Sequence, residues 1–469
     1  MIHHFIIMIN MNQDILIEIL SYLPLKDKLN NALVCKEWYD VQKYIYKNQI
    51  VNVSTETFKS NVYKKWFEKY KHLIQLNGKI DIHNDIPMNM YLNIIKLVID
   101  YNRLTELPET ISELKNLQTL DLTDNKLTHL PESISELKNL QKLNIGGNHL
   151  TQLPESIGDL KNLQILNLGD NQLTQLPETI SELTNLQQLY ISGNEFIRLS
   201  ETISELKNLQ TLGVSRNKLT QLPESIGDLK NLQLLNLSCN QLTQFPESIS
   251  GIKNLQKLYI GSNQLTHIPE SIRNLQQLQA LYINDNRLIH LPESIGDLTN
   301  LQILILRSNR LTQLPNSIYN LKNLQDLSFS ENRMIQLPEA IGNLTNLQTL
   351  NICYNQLTHL PDTISNLKNL QHLNLGSNRF TQLPESIGNL TNLQTLRLFH
   401  NQLTQLSESI GKLERLQTLN LSGNRLTQLP ENICNLKNLQ TLIVSQFTYT
   451  QLPESISELK NLQILYPVN

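Results

Sequence analysis

Imidazoles and thiols are the side chains with which this sequence could do chemistry. His129, His267, His290 and His359 lie whole multiples of 23 residues apart, the kind of spacing a repeated metal site would show. His267 and His290, one interval apart, would supply two ligands. No third ligand completes a site, and Gln is the usual occupant of their position, so a solvated loop is expected and no metal. The thiols of Cys35, Cys239, Cys353 and Cys434 are scattered, without a CxxC pair. That spacing suits isolated reduced thiols rather than a secreted disulfide framework. The chain also lacks a phosphate loop, a dinucleotide fingerprint and a Ser/His/Asp grouping. No catalytic residue, cofactor or small-molecule substrate is expected, and the chain reads as a non-enzyme.

Charge excludes another class. The net charge of 469 residues is −3. Residues 1–90 carry 11 Lys/Arg against 9 Asp/Glu, and residues 91–469 carry 28 against 33, so neither part reads as a nucleic-acid surface. Met1–Asn10 holds only a short apolar run, Phe5–Ile9, without a basic front or a small-residue cleavage site. No later stretch is long and apolar enough to span a bilayer. A cytoplasmic or nuclear protein is expected, neither secreted nor membrane-bound.

The element that positions these residues is a repeat. Asparagine recurs every 23 residues from Asn102 through Asn125 and Asn148 to Asn424, fifteen positions without a miss. A proline ladder runs over sixteen positions from Pro108 to Pro453, broken only by Ser200 and Ser407. In the unit Leu117–Asn139, LQTLDLTDNKLTHLPESISELKN, Leu120 and Leu122 alternate with Thr119, Asp121 and Thr123, the period of a half-buried strand. Asn125 stands where the chain must turn, and its amide can satisfy backbone groups of its own and the adjacent coil. Leu130-Pro131-Glu132 reads as an extended residue, a proline suited to a first helical turn, and an acid at the favourable end of its dipole. Ile134 and Leu137 share one face of that turn, and Asn139 suits the left-handed conformation that ends it. A single unit buries too little to order itself, so only stacking makes the array stable.

This pattern resembles the leucine-rich-repeat family, specifically its 23-residue LPxxI class common in intracellular proteins, over residues 91–469. The resemblance implies an α/β fold: a leucine-rich-repeat solenoid with a curved parallel sheet inside and short helical turns outside. About sixteen repeats are expected, with a partial one ending in Ile464-Leu465-Tyr466-Pro467-Val468. Phe447, Tyr449 and Pro467 would blunt the open edge.

Inner-face residues lie one, two, four and six positions before each ladder asparagine, because strand alternation points them away from the core. Asn fills the fourth-before column in six units. Tyr190, Tyr259 and Tyr282 replace it, followed by Ile305, with Arg307 two residues on; Gly213 intervenes, where a partner could approach the backbone. Arg397, Phe399 and His400 follow later. Tyrosine and arginine are frequent interface anchors, so the stretch from Tyr190 to Arg307 is read as the main docking surface and Arg397-Phe399-His400 as a second contact. The competing reading is drift among near-identical repeats.

Residues 11–41 break the repeat. Ile15, Ile19 and Leu23 fall at i, i+4 and i+8, widened by Leu16 and Leu20; Pro24 ends this helix, and Asp27 can cap a second carrying Leu29, Leu33 and Val34, before Trp38. The segment resembles an F-box in Ile15-Leu16, Glu18-Ile19-Leu20, Ser21-Tyr22-Leu23-Pro24, Lys26-Asp27, Leu33-Val34-Cys35-Lys36 and Trp38-Tyr39. It departs at Met11-Asn12, where the family usually has Leu-Pro. The resemblance implies docking to the Skp adaptor of a Skp–cullin–F-box ubiquitin ligase through Ile15, Leu16, Ile19, Leu20, Leu23, Pro24, Leu33, Val34 and Trp38. A helical cap over the first repeat is the alternative.

The organisation is thus a short leader (1–10), a small all-α F-box-like module (11–50), a helical linker and N-terminal cap (51–90), and the solenoid (91–469). Within 51–90, Phe58, Val62, Trp66 and Tyr70 stand four residues apart and read as an amphipathic helix covering the first coil. The expected function is substrate recognition for the ligase, with an unidentified protein as target. A repeat scaffold or signalling regulator without ligase connection is the alternative. If residues 51–90 cap the array, a chain starting at Tyr91 will melt earlier and scatter light at temperatures where the full chain is clear. Equal melting and equal scattering would contradict the cap.

Overall fold

The structure, a computed structural model, describes residues 51–53, 74–76, 95–444 and 452–465. The chain divides into two compact units, one holding the residues to Phe196 with Glu205–Leu209, the other Ile197–Ser204 and the residues from Gln210.

Two short strands fall inside the segment read as helical linker: β1 (Val51–Val53) and β2 (Ile74–Leu76), paired in parallel with Val51 opposite Ile74. The 23-residue step therefore already operates before Tyr91, and residues 51–90 are not purely helical. The expected helix over Phe58–Tyr70 lies outside the described residues, as do the F-box-like module and Phe447, Tyr449 and Pro467.

The rest of the first unit is a parallel sheet of β3 (Lys96–Val98), β4 (Thr119–Asp121), β5 (Lys142–Asn144), β6 (Ile165–Asn167) and β7 (Gln188–Tyr190). The second unit repeats the arrangement in β8 (Thr211–Gly213), β9 (Leu234–Asn236), β10 (Lys257–Tyr259), β11 (Ala280–Tyr282), β12 (Ile303–Ile305), β13 (Asp326–Ser328), β14 (Thr349–Asn351), β15 (His372–Asn374), β16 (Thr395–Arg397), β17 (Thr418–Asn420), β18 (Thr441–Ile443) and β19 (Gln463–Leu465). Within each of these two sheets every strand pairs with the next, and the partial last unit does form a strand. The central leucine of every strand from β3 to β18 is fully buried, and its two neighbours face away from the core, as the period-two pattern requires.

Each strand from β4 to β17 is closed by a ladder asparagine, whose buried amide binds two coils at once. Asn309 Nδ2 donates to Ile283 O of the preceding coil at 3.0 Å and to Leu306 O of its own at 3.0 Å. Its Oδ1 accepts from Leu288 N at 3.0 Å. Asn148, Asn263 and Asn401 repeat this pattern. Reaching it requires a left-handed residue immediately before the asparagine. All fifteen such positions, Tyr101 to Gly423, have φ between 50° and 68°, yet only Gly147, Gly193 and Gly423 are glycine. The strain of the others is offset by the amide bonds they permit.

Two local expectations change. The outer turns are five-residue 3-10 turns, such as Glu132–Glu136, and Pro131 is not in the turn: at φ −68°, ψ 148° it is the extended residue before it. Asn139 is not left-handed; its Nδ2 donates to Lys115 O of the preceding coil at 2.8 Å. Hydroxyls in the turns do likewise, with Ser133 Oγ donating to Glu109 O and Ser156 Oγ to Glu132 O, both at 3.0 Å.

One turn is irregular. Tyr319 takes a position held by Gly296 and Gly342 in the flanking coils, and its ring is buried with 1% exposure while its hydroxyl finds no partner. The glycine geometry directs this position at the second residue of the following turn, which is Ser or Thr in most coils but Ala340 here.

Asn309→Ala removes both donors and the acceptor, leaving buried backbone groups unpaired, and should lower unfolding free energy by about 2–5 kcal/mol in urea titration. Tyr319→Phe removes an unpaired buried hydroxyl and should raise it by about 1 kcal/mol. An unchanged Asn309→Ala midpoint would contradict the ladder's role.

Candidate functional site

The residues with potential chemistry separate once placed on coils. His129, His267 and His359 are exposed, each with Nδ1 2.8–3.1 Å from the preceding threonine hydroxyl. Among the described residues no three His, Cys, Asp or Glu side chains are placed to hold a metal ion. Cys239, Cys353 and Cys434 are free thiols, the first exposed and the others buried. Burial pushes the Cys353 thiol above its usual range, the opposite of what a nucleophilic thiolate needs. Among the described residues no helix is long and apolar enough to cross a membrane.

The strand face turned away from the core is where the unusual residues collect. On the first unit, Tyr190 ends β7, half-buried, with its hydroxyl donating to Gln188 Oε1 at 3.1 Å. On the second unit, Gly213 in β8 is buried rather than open. Parallel register places Tyr259 opposite Tyr282, and Tyr282 opposite Ile305. The two rings stack with centroids 4.6 Å apart and planes 12° off parallel. Strand spacing of about 4.8 Å sets that stack without any turn of the chain. Burial, then Tyr259, then Asp326 push the Tyr282 phenol above its ordinary value. Burial raises the Asp326 carboxyl as well, opposed by His372.

Arg307 is exposed but not unengaged. Its Nη2 and Nε meet Glu331 Oε1 at 2.8 and 2.9 Å, and Glu331 Oε2 accepts from Ser308 Oγ at 2.6 Å. An exposed pair of this kind is weak enough for a partner carboxylate to exchange with it. Beyond it the face dips, because Ser328, Ser330 and Cys353 are small and buried.

The second expected contact gains a member. Phe399 meets His400 edge-on at 5.8 Å and Tyr354 edge-on at 6.1 Å. Phe399 lies across Gly376, where any Cβ would collide with the ring. Arg397, exposed on β16, stands in register between Asn374 and Asn420. Tyr354 was not among the expected residues, although a large aromatic in a column mostly of small or polar residues is the signal that marks it. The structure brings Tyr259, Tyr282, Ile305 and Arg307 together across β10 to β12, and Phe399 with His400. The adaptor-binding candidates Ile15, Leu16, Ile19, Leu20, Leu23, Pro24, Leu33, Val34 and Trp38 lie outside the described residues.

Comparison with known proteins agrees with this architecture. Residues 93–150 match a leucine rich repeat family model, and five stretches between 140 and 469 match a leucine-rich repeat region model. Residues 13–49 match an F-box-like model. A search of curated proteins returns no match. Among solved structures, a leucine-rich-repeat protein of Leptospira interrogans is 38% identical, with 83% of this chain and 99% of that one covered at a TM-score of 0.78. The plant peptide hormone receptor RGFR1, in complex with RGF2, is 31% identical over 84% of this chain and 68% of its own, with a TM-score of 0.63. The Arabidopsis receptor kinase HAESA ectodomain, in complex with an IDA peptide hormone, is 26% identical over 85% and 70%, with a TM-score of 0.64. With its repeats, its buried asparagine ladder and the segment that precedes them, the chain belongs to the leucine-rich-repeat family and carries an F-box-like domain at residues 13–49.

Proposed function

We propose that the chain is a substrate-recognition subunit of a Skp–cullin–F-box type ubiquitin ligase. The observation that carries this reading is the F-box-like match at residues 13–49 on the same chain as the repeats. The F-box-like segment docks the Skp adaptor through its apolar stripe, Ile15, Leu16, Ile19, Leu20 and Leu23, with Leu33, Val34 and Trp38. The strand face around Tyr259, Tyr282 and Arg307 captures a target protein, using stacked rings of large contact area beside an exchangeable ion pair. Ubiquitin transfer falls to other subunits, so this chain acts by binding and is not itself an enzyme. A cytoplasmic or nuclear location follows from that role. Repeats that hold a polypeptide have precedent in the RGFR1 and HAESA complexes with peptide hormones. That precedent also supports the second reading, a repeat scaffold or regulator without ligase connection.

Two measurements separate the readings. Purified full chain should retain the Skp adaptor through gel filtration, and Leu16→Asp/Leu20→Asp should abolish this; no association at high protein concentration would remove the ligase role and leave the scaffold. For a target identified by affinity mass spectrometry, Tyr259→Ala/Tyr282→Ala/Arg307→Ala should weaken binding at least tenfold, as losses above about 1 kcal/mol per anchor imply. Undiminished target binding with this variant would refute the face.

A further inference from the structure

The loop that follows the asparagine ladder on the second unit carries a row of charge that no carboxylate among the described residues balances. The residue after the asparagine is arginine in three successive coils, Arg287, Arg310 and Arg333. Their backbone N–H groups donate to Leu265, Leu288 and Leu311 O of the preceding coils at 2.9, 2.8 and 2.9 Å. Each arginine is thereby fixed one coil from the next, about 4.8 Å apart by strand spacing. All three are exposed, and among the described residues their guanidinium groups have no carboxylate partner. The acids nearest in sequence are committed elsewhere: Asp285 accepts from Asn284 Nδ2 at 2.7 Å, and Glu331 is held by Arg307 and Ser308.

Apolar side chains flank this row. Leu288 and Met334 point into the core, so Arg287 shares the outward side with Ile289, and Arg333 with Ile335. Threonine is the usual occupant of that second position, yet Ile289 and Ile335 are 53% and 60% exposed. The adjacent column holds His290, Gln313 and Gln336, none of them acidic.

We propose that this flank is a docking surface, separate from the strand face, for an acidic segment of a partner protein whose carboxylates alternate with aliphatic side chains. Guanidinium forks match carboxylates in bidentate geometry, and three at a fixed interval select a run of them. The isoleucines favour a protein over a nucleic acid. A phosphate backbone would satisfy the arginines but leave Ile289 and Ile335 in water, and neither the row nor its adjacent column offers a Phe, Tyr or Trp ring on which a base could stack.

Fluorescence anisotropy on the full chain tests this, with a labelled peptide repeating Glu-Glu-Leu, a polyglutamate peptide and oligothymidylate as probes. The Glu-Glu-Leu peptide should bind best. Arg287→Gln/Arg310→Gln/Arg333→Gln should weaken it roughly tenfold, about 1.4 kcal/mol in all, because exposed pairs are individually weak. Ile289→Thr/Ile335→Thr should abolish its advantage over polyglutamate. Absence of binding, indifference to the arginine substitutions, or tighter binding of oligothymidylate overturns the proposal. The arginine and isoleucine substitutions are at exposed positions, and unaltered melting verifies that each variant is folded.

Discussion

A primary amide that must be buried and must still make all its hydrogen bonds governs this protein. Each ladder asparagine from Asn125 to Asn424 sits in the apolar interior, where an unpaired polar atom would be costly. Its partners are carbonyls and N–H groups of two neighbouring coils. That demand fixes the length of the repeat, because one residue more or less would carry the amide out of reach and turn every strand side chain to the other face. The left-handed residue ahead of it, the in-register strands and the aligned outer columns all follow from this single requirement. So do the candidate sites, whose side chains become neighbours only because coils repeat at one interval.

Within that frame, departures from the consensus come in matched pairs. Phe399 covers Gly376, the carboxylates of Asp124 and Asp170 fill the space over Gly147 and Gly193, and the buried Tyr319 precedes a turn whose second residue is Ala340 where most coils have Ser or Thr. A large side chain in one coil meets a small one in the next, which is how a close-packed array absorbs change without opening. The Tyr259–Tyr282 stack differs, since two large rings are adjacent and both remain partly accessible on the strand face. Partial exposure of two aromatic rings distinguishes this place from packing that serves stability alone.

Much of this was legible from residue order. Alternation at Leu120 and Leu122 marked the strand, the unbroken asparagines marked the buried ladder, and counting back from them located Tyr259, Tyr282 and Arg307. What escaped depends on geometry that the alphabet does not encode. Pro131 fits either the first turn of a helix or the extended residue before it, and only the short 3-10 turn decides between them. Asn139 suits a left-handed end, but a carbonyl of the preceding coil was the stronger attraction. The left-handed position itself was hidden because Asp, Ser, Arg and Tyr occupy it as well as Gly. Arg307 and Glu331, 24 residues apart, gave no sign of their ion pair until adjacent coils were superposed. The strands at Val51–Val53 and Ile74–Leu76 were missed because the residues between them do not repeat the consensus.

The amide bonds that join coils reach no further than the next coil, and this has a consequence for how such a chain changes over time. Near-identical units offer many places where copying or recombination can slip by a whole unit, and a gain or loss of 23 residues leaves every buried amide with equivalent partners. The molecule can therefore lengthen or shorten without refolding around a new core. What shifts is the gap between surface features, by one strand spacing at a time: the distance separating the tyrosine pair from the Phe399 cluster is inherited as a number of units, adjustable independently of the residues that form either one.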